Sequence, residues 1–595
     1  MNTAIHRTLL GAAALLMPCA ILADPQSPAR LKRADSFLGI HFDFHANTDC
    51  TNVGARTTPA MVEGIISAVR PDYLQIDCKG HPGLSSYPTK VGHQAPGIVG
   101  DPLRVWRDVT ARHGVALYMH YSGVWDSKAV KEHPDWAAIG ADGKPSAKAT
   151  SLFGPYSGRL LIPQLRELAG EYGVDGAWVD GECWASVPDY GPAAMKAFRE
   201  ATGIGDVPRK PGEPHWFEFL QFHREAFRKY LRNYIAAVKQ THPGFQLCSN
   251  WAFTDHMAEP VSAPVDFLSG DYSPQDSVNS ARVSARYLAR QGKPWDLMAW
   301  SFSTKPDRRQ KTAVQLQREA AVVLATGGGF QAYFTQNRDG SVRLEEMPVM
   351  AEVAKFCRAR QAICHRAEPV PQVALLFSTE GHYRRLNGLF PRNYAPLTDA
   401  LLALLGRQYS VEVLGEHQLS GRMSQYPLIV VPGWGHLEPR FKDELVARVQ
   451  SGGNLLLVGP EASALFQAEP GKITSVGRGK IAAAEAAGLI EAARQLFPEP
   501  MVDVAGSRDV DVCVARIGGR LLVNLVNTGG PHKTQSIIET IPPIGPLTVT
   551  IRHATKPARV TLEPGGRPMA FDYRDGEIEL TVPAVAIHEI IAIEP

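Results

Sequence analysis

The chain has 595 residues, with 62 Lys and Arg against 60 Asp and Glu, a formal net charge of +2, and 44% hydrophobic and 21% charged residues. These proportions fit a globular protein and exclude disordered, fibrous and membrane-embedded classes. The even charge and the lack of a basic run give no reason to expect a nucleic-acid partner.

Arg7, an apolar stretch over residues 9–17, Pro18 and small residues ending at Ala23 predict a secretory signal peptide over residues 1–23. The protein is therefore expected to be exported, to the periplasm or beyond. The apolar stretch is shorter than the ~20 residues that span a bilayer, so no membrane association is expected after cleavage. Cys19 raises a lipid anchor, but Pro18 stands where a lipobox wants a small residue. Cleavage leaves Cys50, Cys78, Cys183, Cys248, Cys357, Cys364 and Cys513. An odd number over a long chain is no disulfide framework, and no CxxC or Cys/His spacing suggests zinc. Buried thiols, with at most one bridge, are the expectation.

From Ser36 to about Arg366, short apolar runs alternate with amphipathic stretches. The strand candidates are SFLGIHFDF, DYLQIDCK, VALYMHYS, GAWVDGE, FQLCSN, VDFLSGDY, WDLMAWSF and GGFQAYFT. Helical patterns such as TPAMVEGIISAVR, EFLQFHREAFRKYLRNYIAAVKQ and QLQREAAVVLATG lie between them. Eight such alternations predict an α/β fold of the (β/α)8 TIM-like barrel type over residues 34–366, with enlarged loops after strands four and five. A doubly wound sheet competes, but no Gly-rich phosphate loop opens a helix. Polar residues gather at the C-terminal ends of the runs: His41, Asp43 and His45; Asp77, Lys79 and His81; His120 to Ser122; Asp180 and Glu182; Asn250; Asp271; Trp300. In such a barrel that rim carries the chemistry.

Residues 368–500 read as a small parallel α/β domain, from PQVALLF, YSVEVL, YPLIVVPG and GNLLLVG with helical patterns between them. Residues 505–595 read as a C-terminal β-sandwich of short strands punctuated by Gly and Pro.

Strand four, Gly176-Ala177-Trp178-Val179-Asp180-Gly181-Glu182, places Trp178, Asp180 and Glu182 on one face by its period of two. An aromatic plate beside carboxylates suits a sugar, which has apolar faces and a hydroxylated rim. Glycoside hydrolysis needs two carboxyl groups, ~5–5.5 Å apart for retention and ~6.5–9.5 Å for inversion. Glu182 is one candidate partner for Asp180, but neighbours on one strand point alike. Asp271 at the end of strand six is expected to face Asp180 across the mouth and is preferred; Asp255 and Glu259 on the fifth loop are further acid candidates. His41, Asp43 and His45 hint instead at a metal-dependent hydrolase. On an extended strand the two histidines stand about 13 Å apart, too far to share an ion. A glycosidase with a nucleophilic Glu on strand seven is a second alternative, and AWSFST lacks that carboxylate.

The barrel resembles the α-L-fucosidases of glycoside hydrolase family 29 and the related family 151. Trp178-Val179-Asp180-Gly181 is similar to that family's Trp-x-Asp-Gly, whose Asp is the retaining nucleophile. Lys79-Gly80-His81-Pro82-Gly83-Leu84, followed by Tyr87-Pro88-Thr89, stands where the family has Lys-His-His-Asp-Gly-Phe and then Trp-Pro-Ser. His81 matches a sugar-binding His there, and Gly80 and Pro82 depart from the pattern. His120-Tyr121-Ser122 with Trp125 is similar to its Tyr-Tyr-Ser strand, and an early family His matches His41 or His45. The α/β domain resembles the amidotransferase-like module of several barrel glycosidases, which serves assembly. VVPGWGHLEP offers no nucleophilic Cys for amidotransfer.

The resemblance implies a retaining exo-glycosidase of α-L-fucosidase type acting on an oligosaccharide or glycan, and the leader implies its export. Asp180 is the expected nucleophile and Asp271, or Glu182, the acid/base. His41, His81 and Tyr121 would bind hydroxyls, and Trp178 or Trp300 would stack on the ring. No metal or organic cofactor is expected, and a homo-oligomer could form through the α/β domain. The alternatives are a β-galactosidase-like barrel with a trimerisation domain and a non-catalytic carbohydrate-binding scaffold. The scaffold predicts no carboxylate within ~10 Å of Asp180.

Overall fold

Eight parallel strands form one sheet: β1 (Leu38–Asp43), β2 (Tyr73–Lys79), β3 (Ala116–Ser122), β4 (Gly176–Asp180), β5 (Gln246–Ser249), β6 (Leu268–Tyr272), β7 (Trp295–Trp300) and β8 (Gly329–Thr335). The computed structural model describes residues 28–272, 274–303, 308–532 and 537–595. The expected signal peptide lies outside the described residues.

The ladder runs β6-β7-β8-β1-β2-β3-β4-β5, so the sheet curls into a barrel whose seam lies between β5 and β6. Backbone bonds from Asp266 N to Leu247 O (2.9 Å) and from Trp251 N to Ser269 O (3.2 Å) hold the seam together. Helices follow seven of the strands: α1 (Pro59–Val69), α2 (Pro102–Arg112), α3 (Ile162–Gly170), α4 (Pro192–Thr202) with α5 (Trp216–Thr241), α6 (Ser277–Leu288), α7 (Ala313–Leu324) and α8 (Met347–Cys364). The fifth alternation departs from expectation. Among the described residues no helix joins β5 to β6, and residues 250–267 form a loop with Pro260 and Pro264 in it. Proline lacks an amide hydrogen and resists helix interiors, which accounts for the difference.

Strand parity sorts the barrel wall. Leu117, Met119 and Tyr121 of β3, and Ala177 and Val179 of β4, point outward into the main apolar core under the helices. Tyr73, Tyr118, Trp178, Cys248, Phe267 and Met298 point inward and pack together. Large inward side chains fit because a neighbour is small: a Cβ on Gly39 would lie 2.1 Å from the Tyr73 ring. Arg33 plugs the bottom, its guanidinium 3.6 Å from the centroid of Tyr73 and 4.5 Å from that of Phe267. Its Nε donates to Asp296 Oδ2 at 2.7 Å, with both side chains buried.

The second unit is a parallel sheet of β9 (Val373–Phe377), β10 (Val411–Gly415), β11 (Leu428–Pro432), β12 (Asn454–Val458), β13 (Ile473–Val476) and β14 (Gly479–Ala484), ordered β10-β9-β11-β12-β14-β13 with only β13 antiparallel. The third is a sandwich of two antiparallel sheets built mainly from Val502 onward. Glu368 and Pro369, ahead of the α/β unit, add an edge pair to it against Arg516 and Ala515. All seven cysteines of the described residues are buried and free, so no bridge forms. No helix among the described residues is long and apolar enough to cross a membrane.

Candidate active site

The C-terminal ends of the strands open into a cavity of about 790 Å³. Inward parity brings His41, Asp43, His120, Trp178, Asp180, Asp271, Met298, Trp300 and Tyr333 to it. Asp180 is the last residue of β4. Gly181 follows in the left-handed region at φ +59°, where a Cβ would stand 3.1 Å from both His81 and Ser122. That turn ends the strand and overturns the expectation that Glu182 shares the Asp180 face. Glu182 is wholly buried behind the wall, where its Oε2 accepts from the Tyr234 hydroxyl of α5 at 3.0 Å. Burial pushes its carboxyl up to about 8. It does not line the cavity.

Asp180 Oδ1 accepts from Asn250 Nδ2 at 2.7 Å and from Trp184 Nε1 at 3.2 Å. Its Oδ2 faces His120 Nε2 at 3.3 Å and His81 Nε2 at 3.4 Å. Burial opposes ionisation, but the hydrogen bond and charge of His120 and the Asn250 amide together hold Asp180 below the usual carboxylate range. Asp271 is the opposite case. Burial, reinforced by the Asp180 charge, pushes it up to about 6 against hydrogen bonds from Trp300 and Asn250. Trp300 Nε1 donates to its Oδ2 at 3.0 Å, and Asn250 Nδ2 to its Oδ1 at 3.1 Å.

One amide nitrogen therefore bonds both carboxylates, which limits their facing oxygens to a separation of about 5.8 Å. With its two N–H bonds ~120° apart the separation is about 5 Å, the retaining spacing. A carboxylate within ~10 Å of Asp180 is what the non-catalytic scaffold did not predict.

The histidines divide by charge. His120 lies among Asp43, Asp77 and Asp180, and these outweigh burial to hold it well above the ordinary imidazole value, as an imidazolium. Burial and the His120 charge push His41 down to about 3, and Gln75 Nε2 donates to its Nδ1 at 3.1 Å, leaving Nε2–H as a donor. Burial also pushes His81 down to about 4. Because Ser122 Oγ donates to Trp125 O (2.6 Å), it accepts from His81 Nδ1 (2.7 Å), and His81 Nε2 is left as an acceptor.

The chain does not stay extended from His41 to His45. His45 lies past the end of β1 at φ +48°, and its ring turns back so that Nε2 meets Asp43 Oδ2 at 2.5 Å. Asp43, His45 and His120 each bring a ligand atom within 4.8 Å of the others. Two ligands of one zinc ion stand ~3.3 Å apart, however, and the closer Asp43–His45 contact is an ion pair. The His45 ring is held above its ordinary value, with burial opposing and Asp43 prevailing.

Tyr121 is a further correction. It points outward, wholly buried, and its hydroxyl donates to Gln164 at 2.9 Å, away from the cavity. Asp255 and Glu259 leave the acid candidates as well: Asp255 pairs with Arg392 and Tyr394, and Glu259 with Arg228 and Tyr383. His41, His81, Trp178 and Trp300 all line the cavity. Residues not singled out for the site include Asn250, Trp184, Trp251 and Arg392. Asn250 was visible as a polar strand end, and Trp184 lies close after the Trp-x-Asp-Gly run. Arg392 comes from the α/β unit and carries no local signal.

The fold and the site define a (β/α)8 barrel with a carboxylate pair at its mouth, followed by an α/β unit and a β-sandwich. No family model and no curated protein sequence matches the chain. Among solved structures, the chain is similar to α-L-fucosidase isoenzyme 2 from Paenibacillus thiaminolyticus, at TM-score 0.80 and 16% identity over 94% of this chain and 99% of that one. It is also similar to a catalytic mutant of Gan42B, a GH42 β-galactosidase from G. stearothermophilus (TM-score 0.68, 13% identity, 95% and 100% covered). The β-galactosidase from Rahnella sp. R3 is a third (TM-score 0.67, 14% identity, 94% and 98% covered). The three-part fold is thus shared along nearly the whole length.

Proposed function

We propose that the protein is an exported, retaining exo-glycosidase of α-L-fucosidase type. The observation that carries the reading is the Asp180–Asn250–Asp271 bridge, which pairs an ionised carboxylate with one of raised pKa at the retaining distance. Asp180 attacks the anomeric carbon and the bond to the leaving oxygen breaks as Asp271 delivers its proton. Asp271 then takes a proton from water, which displaces Asp180 from the sugar. His120 and Asn250 hold the nucleophile, His41 Nε2–H and His81 Nε2 face sugar hydroxyls, and Trp178, Trp184 or Trp300 offers a plate to the ring. The solved fucosidase of the same three-part fold supports the choice of sugar. β7 ends in Trp300, which donates to Asp271, where the alternative glycosidase type would need a carboxylate. Export rests on Arg7 and the apolar run that follows it.

A panel of aryl fucosides, galactosides, rhamnosides and arabinosides tests the reading. Turnover with retained anomeric configuration, abolished in Asp180→Ala protein of unchanged fold, is expected. Turnover that survives in Asp180→Ala would refute the nucleophile, and an inverted product would refute the two-step route.

A further inference from the structure

Arg392 belongs to the α/β unit yet lines the barrel cavity. Its orientation is set from behind. Nη2 donates to Asp255 Oδ2 at 3.0 Å, and Nε to the Tyr394 hydroxyl at 2.7 Å. Asp255 is itself wholly buried and accepts from Ser284 Oγ at 3.0 Å. Nη1 has no hydrogen-bond partner among the described residues, and the side chain is 27% exposed. The guanidinium is thus pinned through two nitrogens and open at the third, which suits recognition of an anion.

Its place in the cavity follows from Trp251. The guanidinium carbon lies 5.3 Å from the Trp251 ring centroid. Trp251 is held at φ +64°, and its indole lies so close over Gly270 that a Cβ there would stand 2.4 Å from the ring. Gly270 precedes Asp271, and Trp251 follows Asn250. Arg392 and Trp251 therefore line the cavity on its β5–β6 side, where Asn250 follows β5 and Asp271 lies near the end of β6. A second guanidinium lines the same cavity: Arg338, held by the carbonyls of Phe44 (2.8 Å) and His45 (3.1 Å), with exposed Asp49 Oδ2 3.7 Å from its Nη2, and itself half exposed.

We propose that Arg392 and Arg338, on the β5 and β1 sides of the mouth, select glycosides that carry an anionic substituent, a carboxylate or a sulfate ester. The inference rests on the glycosidase reading and specifies its substrate class. It gives the α/β unit a part in recognition besides any part in assembly.

Binding is measured first and needs no turnover. Glucuronate and galactose 6-sulfate are titrated against glucose and galactose, followed by tryptophan fluorescence. The acidic sugars are expected to bind about tenfold or more tightly, with the gap narrowing as salt screens it. Kinetics follow, on glycosides of the type that the aryl panel selects, with neutral, uronic or sulfated sugars. The ratio of kcat/KM for acidic over neutral substrates is expected to exceed about ten, and to fall about tenfold in Asp255→Asn/Arg392→Gln protein. That double change leaves no lone buried charge; Arg338→Gln, at an exposed position, is the second variant and is expected to lower the ratio too. A preference for either the sulfate or the carboxylate supports the proposal and identifies its source. Equal binding and equal kcat/KM for acidic and neutral partners overturn it, even where turnover is observed. Tight binding of acidic sugars without turnover of any glycoside overturns the hydrolase reading and leaves the anion site standing.

Discussion

Asn250 Nδ2 lies 2.7 Å from Asp180 Oδ1, and its second N–H reaches Asp271 Oδ1 at 3.1 Å, so one side chain sets the distance between the two carboxylates. A hydrogen bond to a charged group contributes about 1.5–3 kcal/mol. Asn250→Ala is therefore expected to lower kcat by about 10- to 150-fold. The loss should fall on kcat more than on KM, because the bond orients reacting groups. Steady-state kinetics on the best aryl glycoside give the answer, with circular dichroism as the control for folding. A KM effect alone would mean that Asn250 only binds substrate.

Activity should depend on pH through Asp271. The acid step needs its proton, and burial with the Asp180 charge holds it at about 6. The profile of kcat/KM is thus expected to fall on the alkaline side with a midpoint near that value, while Asp180, ionised far below it, sets no limb in the accessible range. The same shift affects stability. A carboxylate raised above its unfolded value loses stability as pH rises from about 4 to about 6, because the folded state binds the proton more tightly. Asp271→Asn should therefore lack this part of the decline. The fall in Tm between pH 4 and pH 8 is expected to be smaller in the variant than in the wild type, and an equal fall would contradict the raised value.

Much of the site was legible because β-strand parity is strict. His41 and Asp180 face inward for the same reason that Leu117 and Val179 face outward. The same parity, applied one step further, would have sent Tyr121 outward, opposite to His120. What parity cannot foresee is where a strand stops. Gly181 and His45 both adopt positive φ, one turning Glu182 out of the site and the other bringing a His back onto Asp43. The β5–β6 loop was legible as long but not in its contents, since Trp251 owes its place to a contact with Gly270. Arg392 was beyond reach. It is over 120 residues from Asp271 in sequence and belongs to a different unit, so only tertiary packing joins them.

Glu182→Gln separates the two acid candidates. With its carboxyl pushed up to about 8, Glu182 is largely neutral at pH 7, and a glutamine can still accept from Tyr234. Loss of a hydrogen bond between neutral groups costs about 1 kcal/mol of stability, and little is expected to change in kcat. Asp271→Asn, by contrast, should lose the acid step on a poor leaving group and retain most of the first step on a nitrophenyl one. A large loss of kcat in Glu182→Gln with wild-type Tm would return the acid role to Glu182.

The barrel floor provides a test of stability away from the chemistry. Asp296 accepts from Arg33 Nε at 2.7 Å, from Ser269 Oγ at 2.7 Å and from Gln331 Nε2 at 2.9 Å. Removing one member of a buried ion pair leaves the other charge without compensation and costs about 3–5 kcal/mol. Asp296→Ala should show that loss in chemical denaturation, whereas Asp296→Ala with Arg33→Met should recover part of it by removing the stranded guanidinium. The apolar Met would remain within the ring of Tyr73, Tyr118 and Phe267 that now surrounds Arg33. The inward Trp178 and Met298 lie between this floor and the cavity, so the double variant is expected to keep its KM. A double variant no more stable than Asp296→Ala would mean that Arg33 holds the floor by its contact with the rings, not by its pair with Asp296.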